Sequence, residues 1–402
     1  MTTENQPAVP PIWSTQPASS GALRGIRIVD LSRVLAGPLC TQMLADHGAD
    51  IIKIEPPQGD ETRQLGPPFD TQGTAAYFNA LNRGKRTLSL NLATDEDRDV
   101  LLSLLEQADV LVENFLPGTM EKWGLGYEST LSQRFPKLIY CSITGFGTTG
   151  PLGGLPGYDA VLQAICGIMS INGSPESGPT RVGIPVVDHL TAYTALSGIL
   201  MALLARERTG RAQRVEATLF DTALSLLVPH AANWMASGTE PRLLGSAHPN
   251  IAPYDSFRTR DGHVFLGILN DNQFTRLCHQ IHREDLATDP RFQSNAQRLR
   301  NRDALKLEIE NAFMSREKTE LCDVLMKNGI PAGPVNSVPE ALNQAHAHHR
   351  GMVVQRSDYQ GLGLPVRLHA TPGVAGSPPP AFNQHASIKD VLSKAVTKIE
   401  TA

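Results

Sequence analysis

The sequence predicts an α/β protein with a large doubly wound domain and a smaller α+β domain. Through the first half of the chain, short runs rich in Ile, Val and Leu alternate with helical stretches. This pattern is typical of a mostly parallel sheet covered by helices on both faces. In the second half, a hairpin pattern is followed by further helical runs. The chain has 402 residues, enough for two such domains with buried cores.

The elements of the large domain follow one another in a regular order. Strands are predicted at 24–32, 50–57, 86–92, 109–115 and 137–146. The helix predicted at 37–49 opens with a Gly-Pro turn. The helix predicted at 94–108 has Thr94 as its cap and acidic residues in its first turn. Long helices are predicted at Tyr158–Ile168 and Asp188–Arg208, where apolar residues recur with helical spacing.

The smaller domain follows a stretch of small and polar residues at 238–246. Residues 254–269 predict a β-hairpin with Asp261-Gly262 at its turn. Helices are predicted at 272–281, 301–314 and 335–350, and "GSPPP" precedes a short C-terminal helix. The expected boundaries are a flexible tail at 1–20, a large domain at 21–225 completed by about 350–402, and a linker with the small domain at 226–345.

Composition excludes several classes of protein. The net charge of −4 gives no basic footprint for a nucleic acid. The longest apolar run, Leu190–Ala205, is interrupted by Thr and Ser and is shorter than the ~20 residues of a membrane span. The N-terminus lacks the basic and apolar regions of a secretory signal. The five scattered cysteines predict free thiols in a reducing cytoplasm rather than a disulfide or zinc framework.

Short motifs for other chemistry are incomplete. Gly37-Pro38 resembles a phosphate-binding turn, but the glycine spacing of dinucleotide sites and the Walker pattern are missing. His346, His348 and His349 do not share one helical face, so a solvated surface cluster is favoured and no metal is expected. No Gly-x-Ser-x-Gly elbow supports a serine hydrolase.

Asp188 is the most informative single residue. It stands alone in an apolar segment, and the helical run after it has no acid before Glu207. An Asp ahead of an apolar helix commonly caps it, accepting hydrogen bonds from free N–H groups and contributing about 1 kcal/mol. The other interpretation is a catalytic nucleophile. Spacing alone favours the cap.

Longer motifs carry a resemblance to a known family. They are "LRGIRIVDLSRVLAGPLCTQMLADHGADIIKIEPPQGDETR", "ALNRGKRTLSLNL", "ADVLVENFLPGTMEKWGLGY", "YCSITGFGTTGPLGGLPGYDAVLQAICGIMSING" and "ARERTGRAQRVEATLFD". They resemble the class III CoA-transferases, the CaiB/BaiF family, over essentially the whole chain after Leu23. The segment "GSAHPNIAPYDSFRTRDGHVFLG" is similar to the subgroup of succinyl-CoA:glutarate and related dicarboxylate CoA-transferases.

The resemblance implies a Rossmann-like large domain and an intertwined homodimer, with each chain threaded through its partner. The active site would lie between one subunit's large domain and the other's small domain. The expected substrates are an acyl-CoA and a carboxylic acid, and no tightly bound cofactor is expected.

The resemblance also implies that Asp188 is a nucleophile. Its carboxylate would attack a thioester to form a mixed anhydride, and the returning CoA thiolate would leave an aspartyl-CoA thioester. The expected reaction moves CoA from an acyl-CoA such as succinyl-CoA to a dicarboxylate such as glutarate. The alternative is an α-methylacyl-CoA racemase or epimerase. Such enzymes have a histidine in a "GHD" motif where this chain has Tyr158, and a phenol of pKa ~10 is a poorer base near pH 7.

Further site residues are implied by the resemblance. We expect Tyr158 beside the reacting thioester and Arg33 or His248 against the distal carboxylate of a dicarboxylate. For His248, a loop histidine bonded to the backbone is an equal alternative. The nucleotide end of CoA is expected along the large domain, near Val34, Arg63, Arg86, Leu90, Asn114, Lys122 and Trp123. For each basic residue alone, a solvated surface charge is the simpler alternative.

Overall fold

The computed structural model describes residues 12–13, 21–356 and 359–392. Its strands are β1 Arg27–Asp30, β2 Asp50–Glu55, β3 Lys85–Ser89, β4 Val110–Glu113, β5 Ile139–Thr144, β6 Gly173–Ser174, β7 Gly178–Pro179, β8 Arg214–Thr218, β9 Tyr254–Thr259, β10 Gly262–Gly267, β11 Ala332–Pro334, β12 Val353–Arg356 and β13 Tyr359–Leu362.

The helices follow in chain order. They are α1 Ala36–Asp46, α2 Ala76–Leu81, α3 Asp95–Leu105, α4 Thr119–Lys122, α5 Ser132–Arg134, α6 Asp159–Ile165, α7 Ile168–Ile171, α8 Val186–Thr209, α9 Leu219–Ser225, α10 His230–Ser237, α11 Asp271–Gln280, α12 Glu284–Thr288, α13 Asn295–Arg300, α14 Arg302–Phe313, α15 Lys318–Lys327, α16 Val338–Leu342 and α17 Ala345–His349. A 3₁₀ turn spans Glu61–Gln64, a π-helical turn spans Tyr127–Leu131, and residues 387–392 are helical.

The chain divides into two compact units. The first comprises Met1–Cys166, Gly183–Leu226 and His346–Ala402, and the second comprises Gly167–Val182 and Leu227–Ala345. The predicted large domain had included 167–182, but the structure groups this segment with the second unit. The reason is local: the small hairpin β6–β7 lies in this segment, and the Gly245 N–H donates to its Gly173 carbonyl.

The first unit is built on a six-stranded sheet of order β3-β2-β1-β4-β5-β8. All neighbouring strands in it are parallel, with Val29 lying beside Ile52 and Leu111. The chain moves outward from β1 to β3 and then crosses back to β4, which is the doubly wound arrangement that the sequence predicts. β8 forms one edge of the sheet and was not predicted from the sequence.

Helices cover both faces of this sheet. On one face, α3 packs its leucines into a core shared with Val29 and Ile52. Because side chains alternate along a strand, Asp30 points to the opposite face, where it accepts a hydrogen bond from Thr41 of α1 at 2.6 Å. On that face α1 packs against α8, which also contacts β5 and β8. By length and composition α8 could cross a membrane, but core helices pass the same test.

The C-terminal segment covers the free edge of β3. The His385 N–H donates to the Thr87 carbonyl at 3.1 Å, and the Ser89 N–H donates to the Asn383 side chain at 2.9 Å. Trp13 also packs in the core beside α3, with only 3% of its surface exposed. A fully flexible tail had been predicted for 1–20, and Trp13 departs from it. The rest of that tail, outside Ile12 and Trp13, lies outside the described residues.

The second unit contains a three-stranded antiparallel sheet, β11-β10-β9, packed against α11, α14 and α15. The predicted hairpin is present, but its turn lies one residue earlier. Gly262 already pairs with Thr259, so the two turn residues are Arg260 and Asp261 rather than Asp261-Gly262.

Two predicted helices are broken in the structure. The helix expected at Tyr158–Ile168 is split into α6 and α7 at Gly167, whose φ of +85° is a left-handed conformation that favours glycine. The helix expected at 335–350 is split into α16 and α17. Thr94 precedes α3 as predicted, but its hydroxyl donates to the Asn91 carbonyl instead of capping the helix.

Candidate active site

Two pockets lie at the carboxyl edge of the parallel sheet. β1 and β4 are neighbours, but the chain leaves β1 towards β2 and returns through β4, so the loops after these two strands diverge. Open α/β sheets bind ligands in the crevice at such a switch point. Residues 33–36 after β1 and 114–117 after β4 line a pocket of about 240 Å³ that also contains Asp188, the Asp188 pocket.

A second pocket of about 350 Å³ lies over the ends of β2 and β3. Residues 56–58, 90–93 and Trp123 line it, and it is called the Trp123 pocket here. Both pockets are lined by Arg33, Phe115 and Leu116. They therefore form one groove along the sheet edge, which suits a long ligand.

Asp188 is the third residue of α8, whose first residue is Val186. The residue before the helix is Pro185, which has no side-chain group that could accept a hydrogen bond from the first turn. The free N–H groups of α8 must therefore be satisfied from elsewhere, because the start of this helix is partly buried.

Asp159 supplies that cap from another helix. Its carboxylate accepts hydrogen bonds from the Val187 N–H at 2.8 Å and the Asp188 N–H at 3.3 Å. Gln163, one turn further along α6, donates to the other oxygen of Asp159 at 2.7 Å. The sequence had offered a cap as the simpler role of Asp188, and this interpretation is wrong. The cap is Asp159, and the Asp188 carboxylate lines the pocket.

Burial and charge act together on Asp188. Loss of hydration, and secondly the negative charge of Asp159, raise its pKa from 3.8 to about 7. Tyr77 on α2 lies in the same electrostatic environment, because burial and the charges of Asp188 and Asp159 raise its pKa to about 12. At neutral pH the Asp188 carboxyl is therefore divided between its charged and neutral forms, while the Tyr77 phenol stays neutral.

The loop after β1 is strained and held in place by Asn114. Val34 has φ of +68°, a conformation that costs a β-branched residue about 1–3 kcal/mol. On the residue before it, the Arg33 N–H donates to the Asn114 side chain at 2.8 Å. The Asn114 amide donates back to the Arg33 carbonyl at 2.7 Å. This pair of hydrogen bonds across the switch point fixes the wall of the Asp188 pocket.

Arg33 and Tyr158 both line the Asp188 pocket, although they are far apart in the sequence. The Arg33 guanidinium lies 5.4 Å from the centre of the Phe115 ring, and it has no carboxylate partner within the described part of the chain. Tyr158 precedes α6, and 66% of its surface is exposed. Gly157 beside it packs closely on Gly145, because a Cβ on Gly145 would lie 2.9 Å from the Gly157 Cα.

Buried ion pairs hold the loops below the groove. Lys85 pairs with Asp30 at 3.0 Å, and Lys53 pairs with Asp60 at 3.0 Å. Although burial acts in the opposite direction, both lysines and the Ser32 and Thr41 hydroxyls hold the pKa of Asp30 at about 2. Each of these charges would be costly to bury alone, and the attraction within each pair offsets part of that cost.

Arg63 and Arg86, expected on the sequence to contact CoA, line neither pocket. Arg63 is buried, makes a two-point contact with the Glu55 carboxylate at 2.7 and 2.8 Å, and stacks on Phe78. Arg86 lies near the amino end of β3, away from the groove, and pairs with Asp50 at 2.7 Å. Both guanidinium groups are occupied in holding the fold, and contact of either one with CoA stays a prediction.

The remaining expected residues are divided between the two units. Leu90 and Trp123 line the Trp123 pocket, whereas Lys122 is exposed and lines neither pocket. His248 belongs to the second unit, where its Nδ1 accepts a hydrogen bond from the Asn250 N–H at 3.1 Å. Burial and the positive charges of His230 and Arg302 lower the pKa of His248. These contacts agree with the loop-histidine alternative.

The structure therefore brings five expected residues to one pocket: Arg33, Val34, Asn114, Tyr158 and Asp188. Three residues around the site were not predicted from the sequence: Phe115, which lines the pocket, Asp159, which caps α8, and Tyr77, whose pKa the charge of Asp188 raises. Asp159 could have been found in the sequence, because it directly follows Tyr158 in the "GYD" motif. No sequence feature marks Tyr77, because its proximity to Asp188 depends on the tertiary fold.

Comparisons with known proteins agree with this geometry. The family model of CoA-transferase family III matches residues 23–386. A succinate–glutarate CoA-transferase of Agrobacterium fabrum is 39% identical over 94% of this chain and 97% of its own length. A succinyl-CoA:mesaconate CoA-transferase of Haloarcula marismortui is 40% identical over 91% and 94%, respectively.

A solved structure is also similar. The crystal structure of a CaiB/BaiF family protein from Brucella suis has a TM-score of 0.83 and 39% identity, covering 95% of this chain and all of that one. The match of the family model and these relatives extends through both units of the fold. The chain is a member of CoA-transferase family III.

Proposed function

We propose that this enzyme moves CoA from succinyl-CoA or a similar acyl-CoA to a dicarboxylate, through a thioester on Asp188. One observation carries the proposal. Asp188 is relieved of capping its own helix by Asp159, and its carboxylate lines a pocket at the switch point of the sheet. A carboxylate that has no structural task, and whose pKa is raised to about 7, is suited to nucleophilic attack.

The reaction runs in two matching halves. The Asp188 carboxylate attacks the thioester carbonyl of R–CO–SCoA, giving an Asp188–CO–O–CO–R anhydride and CoA thiolate. The thiolate then attacks the Asp188 carbonyl, giving Asp188–CO–SCoA and releasing R–COO⁻. The acceptor carboxylate R′–COO⁻ repeats these steps in reverse and leaves as R′–CO–SCoA. No proton is gained or lost, and the energy of the thioester is conserved.

Arg33 is the proposed partner of the distal carboxylate. Its guanidinium lines the Asp188 pocket without a carboxylate partner in the described chain, and a dicarboxylate needs a cation for its second charge. The relatives named above are a succinate–glutarate and a succinyl-CoA:mesaconate CoA-transferase, and succinate, glutarate and mesaconate are dicarboxylates. His248 remains a second proposed partner, although its present contacts are to its own loop.

The CoA moiety is proposed to lie along the groove. The apolar walls of the Trp123 pocket, including Leu90 and Trp123, would accept the adenine end. Val34 and Asn114 would border the pantetheine end beside Asp188, with Tyr158 next to the thioester. The exposed Lys122, adjacent to Trp123, is available for a phosphate. CoA thus acts as a substrate, and no tightly bound cofactor is proposed.

We also propose that two chains form an intertwined homodimer in the cytoplasm. Apolar side chains on α6 and α8 support this assembly, since Val161, Ile165, Met201 and Leu204 are each at least 45% exposed. In this proposal residues 21–225, completed by about 350–402, bind CoA, and 226–345 supply the linker and the smaller domain. The racemase alternative is not favoured, because the relatives named above are CoA-transferases.

Mass spectrometry of the enzyme tests the proposal directly. Wild-type enzyme incubated with succinyl-CoA should gain the mass of CoA less water, and digestion should place the adduct on Asp188. Asp188→Asn should form no adduct while keeping its fold, because the amide cannot make the anhydride and Asp159 still caps the helix. An adduct elsewhere, or substantial turnover by a deamidation-free Asn variant, would refute the nucleophile.

A further inference from the structure

The nucleophile of this enzyme lies next to a second buried carboxylate that the reaction itself does not use. Asp159 is 7% exposed and lies at the start of α6, whereas Asp188 lies at the start of α8. The Asp188 N–H donates to Asp159, so the two carboxylates share the positive end of one helix. A fully local cap would have been enough for stability alone.

Resting on the function proposed above, we infer that Asp159 is a positioning residue that drives formation of the aspartyl-CoA intermediate. It orients α8 by binding the Val187 and Asp188 N–H groups. It also places a fixed negative charge beside the nucleophile. Asp159 does not contact the reacting atoms in this scheme, and it acts through Asp188.

The position of Asp159 is itself rigid. Gln163 donates to its second oxygen at 2.7 Å, from the next turn of the same helix. The carboxylate therefore has donors on both oxygens, which fix its orientation. Its charge is held in place throughout the reaction, while the charge of Asp188 changes.

The charge balance of the reaction explains why a negative charge beside Asp188 favours the adduct. Asp188–COO⁻ and R–CO–SCoA become Asp188–CO–SCoA and R–COO⁻, so the negative charge leaves with the released acid. In the free enzyme, two neighbouring carboxylates repel each other in a partly desolvated site. Conversion of Asp188 into a neutral thioester removes that repulsion. The adduct is therefore favoured relative to the same reaction without Asp159, and Asp188 stays more basic and more nucleophilic.

The pKa of Asp188 supports this inference, since the charge of Asp159 contributes to its rise. If Asp159 accounts for about one pKa unit, its neutralisation should lower the equilibrium constant for the adduct about tenfold above pH 7. The midpoint of the pH profile for adduct formation should fall by about one unit.

Asp159→Asn is the appropriate variant. Asparagine caps a helix about as well as aspartate, so the N–H groups of α8 keep an acceptor while the charge is removed. Asp221→Asn is the matched control, because Asp221 is an exposed acid in the first turn of α9 and lines neither pocket of the groove. Asp221→Asn should leave both the equilibrium constant for the adduct and the midpoint of its pH profile unchanged.

The experiment measures the fraction of CoA-labelled enzyme at fixed ratios of succinyl-CoA to succinate, from pH 5 to pH 9. In Asp159→Asn above pH 7 we expect the ratio of labelled to free enzyme to be about tenfold lower, and the midpoint of its pH profile to lie about one unit below that of the wild type. Equal adduct fractions and midpoints in the two proteins would overturn the inference. So would a wild-type profile that is flat from pH 5 to pH 9, because an aspartate with the ordinary pKa of about 4 is almost fully ionised throughout that range. Absence of any wild-type adduct would instead refute the proposed function.

Discussion

Replacement of Asp188 by Asn should stabilise the folded protein while it abolishes transfer. The carboxylate is partly buried and lies beside Asp159, and its pKa rises from 3.8 to about 7 on folding. Asn has nearly the same shape but carries no charge. Because Asp159 caps α8, the substitution leaves the hydrogen bonds of the helix end in place.

The expected gain follows from the difference in pKa. For a carboxyl whose pKa is raised by folding, stability is fully present below the unfolded value of about 4 and is lost as pH rises to about 7. Three pKa units correspond to about 4 kcal/mol, which is the upper limit above pH 7. The carboxylate faces an open pocket, so solvent screening reduces the expected gain to about 2 kcal/mol.

Denaturant unfolding of both proteins at equal concentration, at pH 5 and pH 8, measures this gain. Asp188→Asn should be more stable at pH 8, and less than half of that gain should remain at pH 5. Asp303→Asn is a suitable control, because Asp303 is an exposed acid in the first turn of α14. Its loss should cost a few tenths of a kcal/mol, the opposite sign. A gain that is absent at pH 8, or equal at both pH values, would refute the electrostatic reasoning.

Four further outcomes are expected. Arg33→Ala should reduce kcat/KM for a dicarboxylate acceptor by about 30-fold, or about 2 kcal/mol, and for a monocarboxylate of equal length much less; equal losses would place the distal carboxylate elsewhere. Arg63→Ala should cost about 3–5 kcal/mol in denaturant unfolding, because Glu55 is left buried and unpaired. Arg86→Ala, whose pair with Asp50 is partly exposed, should cost about 1 kcal/mol or less. If the chains interlock, dilution should not release active monomer, and sedimentation showing rapid exchange would contradict that topology.

Much of the fold could be predicted from the sequence because its signals are local. The strands of the parallel sheet are short apolar runs, and α8 is a long apolar helix, so both follow from composition along the chain. The break at Gly167 was missed because the apolar spacing continues across it. β8 was missed because "RVEAT" alternates charged and apolar residues at an edge of the sheet, where burial is incomplete.

The site was only partly predictable for a related reason. Asp188 could be found because it is isolated in an apolar segment. Its cap could not, since Asp159 is 29 residues away and reaches α8 only in the folded chain. The ion pair of Arg63 with Glu55 could not be predicted, because a cation in the sequence looks the same whether it faces a ligand or a buried carboxylate. That distinction depends on packing.

The cover over β3 has a consequence for biosynthesis. β3 lies at the edge of its sheet, and the residues that hydrogen-bond to it, near Asn383 and His385, are almost 300 positions later. A ribosome adding about 5–20 residues per second leaves this edge uncovered for many seconds after β3 has emerged. An uncovered edge strand is a template for pairing with another chain. A nonsense mutation or a proteolytic cut that removes only the last few dozen residues would leave α8 and Asp188 intact. It would also leave the edge of β3 uncovered, and the truncated chain should therefore aggregate.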